Sequence, residues 1–250
     1  MLAKFNYHAV CRPNLNKIEV KIGGKAKFII NKFSQRENGY LRIKEIATEP
    51  YKIEDRLIMA INLSKGERIS LEKVSPGLVQ IFIGLGWDIN VTDTGGDFDI
   101  DASIFLLDNN DKLVSDKHFI FYNNPTSPDS EKSVHQRGDN RTGAGEGDDE
   151  IVDVKLKTVP PEVAKMALTV TIHEAEKRGQ NFGQVSNAFV RIVNCENEEE
   201  IIRYDLTEDF SVETALIMAE LYRKDGEWRM NAVGAGYEGG LQALVERYQK

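Results

Sequence analysis

The side chains of this chain whose types and spacing could do chemistry are mainly carboxylates. In residues 97–101, Asp97, Asp99 and Asp101 alternate with the apolar Phe98 and Ile100. Successive side chains of a β-strand point to opposite faces, so this pattern predicts three carboxylates on one face. Three neighbouring carboxylates repel one another, and without a metal at least one should have a raised pKa. Calcium, a hard cation that binds six to eight oxygens, is the neutralising ion that the row predicts.

A second acidic segment is the glycine-rich run at residues 138–150. It combines four glycines with the candidate ligands Asp139, Asn140, Asp148, Asp149 and Glu150. Glycine lets the backbone bend so that its carbonyls point inward, and the Asp, Asn and Glu side chains supply further oxygens. The run therefore predicts a loop for a hard cation, and the alternative is a flexible acidic surface loop.

Asp88 is a further candidate in the run Gly84-Leu85-Gly86-Trp87-Asp88. The glycines predict a tight exit from a strand, and Trp87 is expected to pack at the edge of the core. Asp88 is then either a metal ligand or a turn cap.

Two other interpretations of the carboxylates have to be weighed. Residues 97–108 have the spacing of an EF-hand, but Ala102 occupies the position that needs glycine and Asp108 replaces the bidentate glutamate, which disfavours that motif. A metal-dependent hydrolase could use the same carboxylates around Mg²⁺ or Mn²⁺, with His135 or His173 as base. No nucleophile is evident beside His135, and a structural role is expected for His173, so we expect no catalysis.

Charge and composition narrow the class of protein. Residues 1–60 contain 12 Lys/Arg and 6 Asp/Glu, whereas residues 88–153 contain 5 Lys/Arg and 16 Asp/Glu, a net charge of −11. The acidic window argues against nucleic acid as a partner. Cys11 and Cys195 lack metal or redox spacing, and no long apolar run predicts a signal peptide or a membrane span, so the cytoplasm is the expected location.

The elements that must position these residues are predicted to be short β-strands. From residue 61 onward, apolar stretches separated by turn residues predict an all-β sandwich of two antiparallel sheets with a few short helices. Asp225-Gly226 predicts a two-residue hairpin, residues 239–250 an amphipathic helix, and residues 160–162 the start of another short helix.

Residues 1–60 are expected to form a separate domain. They predict a small basic β extension with three strands and a loop at residues 35–39. The expected domains are therefore residues 1–60 and residues 61–250.

From about residue 61 to residue 250, the sequence resembles the tellurium-resistance TerD family. The resemblance rests on several stretches, including Leu63-Ser64-Lys65-Gly66, Gly84-Leu85-Gly86-Trp87-Asp88, Asp97-Phe98-Asp99-Ile100-Asp101 and Gly179-Gln180-Asn181-Phe182-Gly183. It implies a β-sandwich that binds two calcium ions. The ligands that it implies are Asp88, Asp97, Asp99, Asp101, Asp139, Asn140, Asp148, Asp149 and Glu150.

The resemblance also implies a role and partners. The role is that of a non-catalytic, calcium-binding stress-response protein associated with resistance to tellurite, phage and colicins. The partners are other tellurium-resistance proteins, including a membrane-embedded TerC-like protein, which would place a scaffold on the inner face of the membrane. Residues 1–60 lie outside the resemblance.

Overall fold

The chain forms two compact units, residues 1–57 and residues 58–250. A computed structural model describes residues 18–22, 26–30, 33–37, 40–43, 60–89, 98–137, 147–208 and 210–249.

The first unit contains two antiparallel hairpins. Strand β1 (Ile18–Ile22) pairs with β2 (Ala26–Ile30), and β3 (Phe33–Glu37) pairs with β4 (Tyr40–Ile43). Strand β3 corrects the predicted loop over residues 35–37, whereas residues 38–39 lie outside the described residues. The β3–β4 register shifts between Ser34 and Glu37, and such a bulge accommodates extra residues within the strand.

Besides two three-residue 3-10 helices (Asp116–His118 and Phe182–Gln184), the described part of the second unit contains twelve strands and three short α-helices. In chain order they are β5 (Ile61–Leu63), β6 (Arg68–Ser70), α1 (Leu71–Val74), β7 (Gln80–Ile89), β8 (Ile100–Leu107), β9 (Phe119–Ile120), β10 (Val134–Arg137), β11 (Glu150–Lys155), β12 (Lys165–Ile172), α2 (Ala175–Arg178), β13 (Val185–Asn194), β14 (Glu199–Asp205), β15 (Ala215–Lys224), β16 (Glu227–Tyr237) and α3 (Gly240–Tyr248).

These strands form two six-stranded sheets, which confirms the predicted sandwich class. The first sheet has the order β10-β11-β7-β13-β14-β5, with a parallel pairing between β14 and β5. The second sheet has the order β6-β16-β15-β12-β8-β9, and its described pairings are antiparallel.

The main apolar core contains inward-facing residues of both sheets. Ile81, Ile83 and Leu85 of β7 belong to the same buried cluster as Leu168 and Val170 of β12, and each is at most 2% exposed. Burying one such side chain contributes about 1.5–3 kcal/mol relative to leaving it in water. The core therefore holds the two sheets together and fixes the strand ends that carry the candidate site.

The outer faces of the two sheets are covered differently. Helix α3 places Leu244 and Tyr248 in an apolar cluster with Phe105 and Ile217 on the second sheet, as expected for the predicted C-terminal helix. On the first sheet, the guanidinium groups of arginines lie over aromatic rings, with Arg137 5.5 Å and Arg191 5.8 Å from the Phe82 ring centre and Arg203 4.0 Å from that of Phe189. Side chains of the sheet itself therefore cover its outer face.

The local predictions have mixed outcomes. The hairpin at Asp225-Gly226 is confirmed, with both residues at positive φ between β15 and β16. The helix predicted at Pro160 is wrong, because residues 161–162 form a turn in which the amide of Val163 donates to the Pro160 carbonyl. Val163 is fully buried, and its burial draws the chain directly into β12.

Candidate functional site

Four strand ends and a bulge meet at one end of the sandwich, which we call the acidic end. Asp88, near the end of β7, pairs with Ser186 of β13, and Glu150, at the start of β11, pairs with Leu85 of β7. In the second sheet, Asp101 pairs with Thr171. The predicted candidates Asp97, Asp139 and Asn140 lie outside the described residues.

The amide of Gln136 connects the two sheets at this end. Its Nε2 atom donates to the Ala102 carbonyl of the second sheet (3.2 Å) and to Oε2 of Glu150 in the first (3.1 Å). Glu150 is only 1% exposed. The Oε1 atom of Gln136 is also buried and has no hydrogen-bond partner among the described residues. A buried carboxylate and an unpartnered amide oxygen therefore lie together between the sheets.

Asp148 is held by an arginine from β13. Its two oxygens accept hydrogen bonds from Nε (2.7 Å) and Nη2 (2.8 Å) of Arg191, and its side chain is 4% exposed. These bonds raise the pKa of Arg191 above its already high ordinary value. Arg191 also pairs with Glu200 at 3.0 Å. The bidentate pair of Arg191 with Asp148 fixes the start of β11 against β13.

Two glycines of β7 make room for this arrangement. A Cβ atom on Gly84 would lie 2.2 Å from Oδ1 of Asp148, and one on Gly86 would lie 2.4 Å from the ring of Phe189. Both glycines lie inside β7, so their interpretation as a strand exit was wrong. Their function is to let other side chains approach the backbone closely.

Asp149 continues the pairing of β11 with β7. Its amide donates to the Leu85 carbonyl (2.8 Å), and its Oδ2 accepts from the Trp87 amide (2.9 Å). Burial raises the pKa of this carboxyl, the Trp87 hydrogen bond opposes the shift, and the charges of Asp88 and Asp148 raise it further. Asp149 therefore lies in an environment that disfavours its negative charge.

Asp88 borders the same group on β13. Its Oδ2 accepts a hydrogen bond from Nδ2 of Asn187 (2.6 Å). Asn187 has φ +53° and lies where the β7–β13 register shifts. This bulge turns a polar side chain towards Asp88. Trp87, which was expected to pack at the edge of the core, is a buried member of the main core.

The alternation in residues 98–101 is present on the second sheet. Phe98 and Ile100 are buried, whereas Asp99 and Asp101 are partly exposed. Strand β8 begins at Ile100 rather than at residue 97, and the Asp99 carbonyl accepts from the His173 amide (2.7 Å). This hydrogen bond anchors the backbone at Asp99, directly before β8 begins.

The two histidines considered as catalytic bases are both exposed. Nδ1 of His135 is hydrogen-bonded to the hydroxyl of Thr126 (2.9 Å). The backbone amide of His173 anchors Asp99, as described above. The ring of His135 therefore has a hydroxyl partner, whereas the bond of His173 involves only its backbone.

The polar side chains described at the acidic end offer mainly carboxylate and amide oxygens. Within the described ranges, no three or more His, Cys, Asp or Glu side chains are grouped closely enough to hold a metal. The predicted ligand set also includes residues 97, 139 and 140, which are beyond those ranges. In the part of the chain that the structure describes, no helix has the length and apolar character needed to span a membrane.

An antiparallel two-sheet sandwich with an acidic end defines the class of protein, and comparisons with known proteins identify the family. The TerD domain family matches residues 59–248. General stress protein 16U of Bacillus subtilis (strain 168) is 56% identical over 190 residues, covering 76% of this chain and 97% of that protein. Tellurium resistance protein TerD of Serratia marcescens is 55% identical, with the same coverage.

The chain therefore belongs to the TerD family of tellurium-resistance and stress-response proteins. A crystal structure of a homologue of telluride resistance protein (TerD) from Streptomyces coelicolor A3(2) has the same fold. Its TM-score is 0.55 at 19% identity, and the match covers 70% of this chain and 100% of that chain.

Proposed function

We propose that this protein is a non-catalytic, calcium-binding stress-response protein that acts in resistance to tellurite, phage and colicins. The observation that carries the proposal is the group of oxygen atoms at the acidic end, where the buried Oε1 of Gln136 has no partner among the described residues and lies on the same amide that binds the buried Glu150 carboxylate. Asp149 is partly desolvated near Asp88 and Asp148, and burial raises its pKa. A bound cation would offset the unfavourable negative charge.

The donor atoms fit calcium better than a softer metal. The described candidates offer carboxylate oxygens, and Gln136 adds a buried amide oxygen without a partner. Calcium prefers such ligands in large and flexible coordination shells, whereas zinc is typically bound by sulfur and nitrogen. We assign the ligands of the proposed ions to Asp88, Asp97, Asp99, Asp101, Asp139, Asn140, Asp149 and Glu150.

Asp148 has a different role in this proposal. Both of its oxygens are bound by Arg191, so it acts as a positioning residue for Asp149 and Glu150. Calcium, when bound, would neutralise the acidic end and crosslink strands of both sheets. We propose that the crosslinked end is a docking platform for other tellurium-resistance proteins, including a membrane-embedded TerC-like partner.

Calorimetric titration of the demetallated full chain with calcium tests this function. We expect a dissociation constant tighter than about 1 mM, the weak end of biological calcium sites. Asp101→Asn should weaken binding at least about tenfold, since it removes one charged ligand. Asp153→Asn is the matched control, because Asp153 lies on the outer face of the first sheet and pairs with Arg137.

Binding weaker than that limit, or equal losses in both variants, would refute the calcium site. Catalysis has its own test, which is hydrolysis of a phosphodiester by the purified protein with Mg²⁺ or Mn²⁺. Activity that Asp99→Asn abolishes would replace the non-catalytic role by a hydrolase.

A further inference from the structure

A cavity lies at the end of the sandwich opposite the acidic end. Its volume is about 560 Å³, and its lining includes Leu71 of α1, Leu78, and Arg223 and Trp228 of the β15–β16 hairpin. In the strand registers, Arg223 and Trp228 pair at one end of the second sheet, whereas Asp101 and Thr171 pair at the other. A volume of this size is within the range of small-molecule sites, about 300–1,000 Å³.

Arg223 is the unusual charged group of this cavity. Its Nη2 donates to the Val159 carbonyl (2.6 Å), and its guanidinium lies 4.7 Å from the centre of the Trp228 ring. Its buried Nε has no hydrogen-bond partner among the described residues, and no described carboxylate forms an ion pair with it. Burial lowers the pKa of Arg223, with only a weaker opposing effect of Glu162.

Two other arginines of the unit are neutralised by carboxylates. Arg137 and Arg191 each form a two-point ion pair with an aspartate, and their pKa values are raised. Taking a cation out of water is unfavourable unless an anion accompanies it. Arg223 thus has a charge that no described carboxylate neutralises and a terminal Nη1 that donates to no described residue, and both favour an anion.

Two carboxylates on the cavity wall, those of Glu72 and Glu227, each accept a hydrogen bond from the protein itself. Oε1 of Glu72 accepts from the Gly77 amide (3.0 Å), and Oε2 of Glu227 accepts from the Ser70 hydroxyl (2.8 Å). Lys157, also on the lining, is exposed and adds a positive charge. The charged hydrogen-bond donors on the lining are those of Arg223 and Lys157.

The rest of the wall is apolar and held in place. Leu71, Leu78 and Leu156 are each at most 6% exposed. Trp228 is fixed because its Nε1 donates to the Leu156 carbonyl (3.1 Å). A ligand body in contact with this wall should be apolar.

We propose that this cavity binds an organic monocarboxylate with an apolar body, its carboxylate at Arg223 and its hydrocarbon part against Trp228, Leu71 and Leu78. A free small acid and the C-terminal carboxylate of a peptide share this chemistry. The site is independent of calcium, because it lies at the other end of the sandwich.

The test uses the full chain and two probe pairs. The first pair is 3-phenylpropionate and the neutral 3-phenylpropanol, and the second is a pentapeptide ending in phenylalanine with a free or an amidated C-terminus. The chain has two tryptophans, so the indole NMR signal of Trp228 is assigned by its loss in Trp228→Phe. We expect the acid form of at least one pair to shift that signal and to bind about tenfold tighter than its neutral form. The acid that binds more tightly shows whether the site takes a free small acid or the C-terminus of a peptide.

Variants locate the carboxylate. Arg223→Gln should lower the affinity about tenfold or more, whereas Arg229→Gln on the same hairpin, outside the cavity lining, should leave it unchanged. Lys157→Glu, an exposed change that does not threaten folding, should weaken the acid but not the neutral probe. Calcium chelation should leave the affinities for the acid and the neutral probe unchanged.

Equal binding of acid and neutral probes to the wild-type chain, or no shift of the Trp228 signal, would overturn the proposal. So would an undiminished affinity in Arg223→Gln. If that variant does not fold, the wild-type comparison and Lys157→Glu still decide the outcome.

Discussion

Replacing Arg191 with glutamine tests the ion pair that holds Asp148 at the acidic end. The substitution leaves Asp148, only 4% exposed, without the guanidinium that binds both of its oxygens, and it also removes the bond to Glu200. Removing one partner of a fully buried pair costs about 3–5 kcal/mol. Because the Arg191 side chain is 27% exposed, water reaches part of the pair, and we expect a loss of about 2–3 kcal/mol. That corresponds to a fall of about 4–12 °C in melting temperature.

The matched control is Arg137→Gln, measured beside Arg191→Gln by urea unfolding. Arg137 also lies over the Phe82 ring, but its ion pair with Asp153 is more open, with side chains 48% and 20% exposed. Exposed pairs contribute about 0–1 kcal/mol, so this variant should lose less than about 1 kcal/mol. Adding Asp148→Asn to Arg191→Gln should recover stability by removing the buried charge. Equal losses in the two single variants, or no recovery in the double variant, would refute the reasoning.

Three further changes probe the same end of the sandwich. Gly84→Ala places a Cβ 2.2 Å from Asp148 Oδ1. It should lower the free energy of unfolding, measured in urea, by about 1–3 kcal/mol and should also weaken calcium binding. Gln136→Leu leaves the buried Glu150 without its amide donor and should cost about 1–3 kcal/mol, measured in the same way. The raised pKa of Asp149 means that its protonated form stabilises the fold at low pH and that this contribution is lost as pH rises through the folded pKa. In chelator, Asp149→Asn should therefore be more stable than the wild type at neutral pH, and the difference should disappear below about pH 4; an unchanged difference across that range would contradict the assignment.

Much of the fold is predictable because local patterns determine it. Phe98 and Ile100 are buried and the intervening Asp99 is not, as expected from a period of two. The hairpin at Asp225-Gly226 forms because these residue types tolerate the positive φ values that the turn requires. Strand β10 is harder to predict, because it has only four residues and pairs at the edge of its sheet with β11.

The candidate site is less predictable because its contacts join distant parts of the chain. Gly84 and Gly86 looked like a strand exit, and only the approach of Asp148 and Phe189 explains them. Arg191 is an ordinary strand residue by sequence, and its partner Asp148 is 43 residues away. Gln136 bridges two sheets that become neighbours only after folding. No local signal contains these relationships.

The most direct test of the account is the melting temperature of the demetallated full chain as a function of calcium. A site built from strand ends of both sheets should exist only in the folded state, so binding should stabilise that state. At free calcium about 100 times the dissociation constant, the gain is about 2.7 kcal/mol, or about 5–10 °C. We predict a rise of that size with calcium and, because Asp101→Asn weakens binding at least about tenfold, at most about half of that rise in this variant at the same concentration. A melting temperature that saturating calcium leaves unchanged would contradict the account.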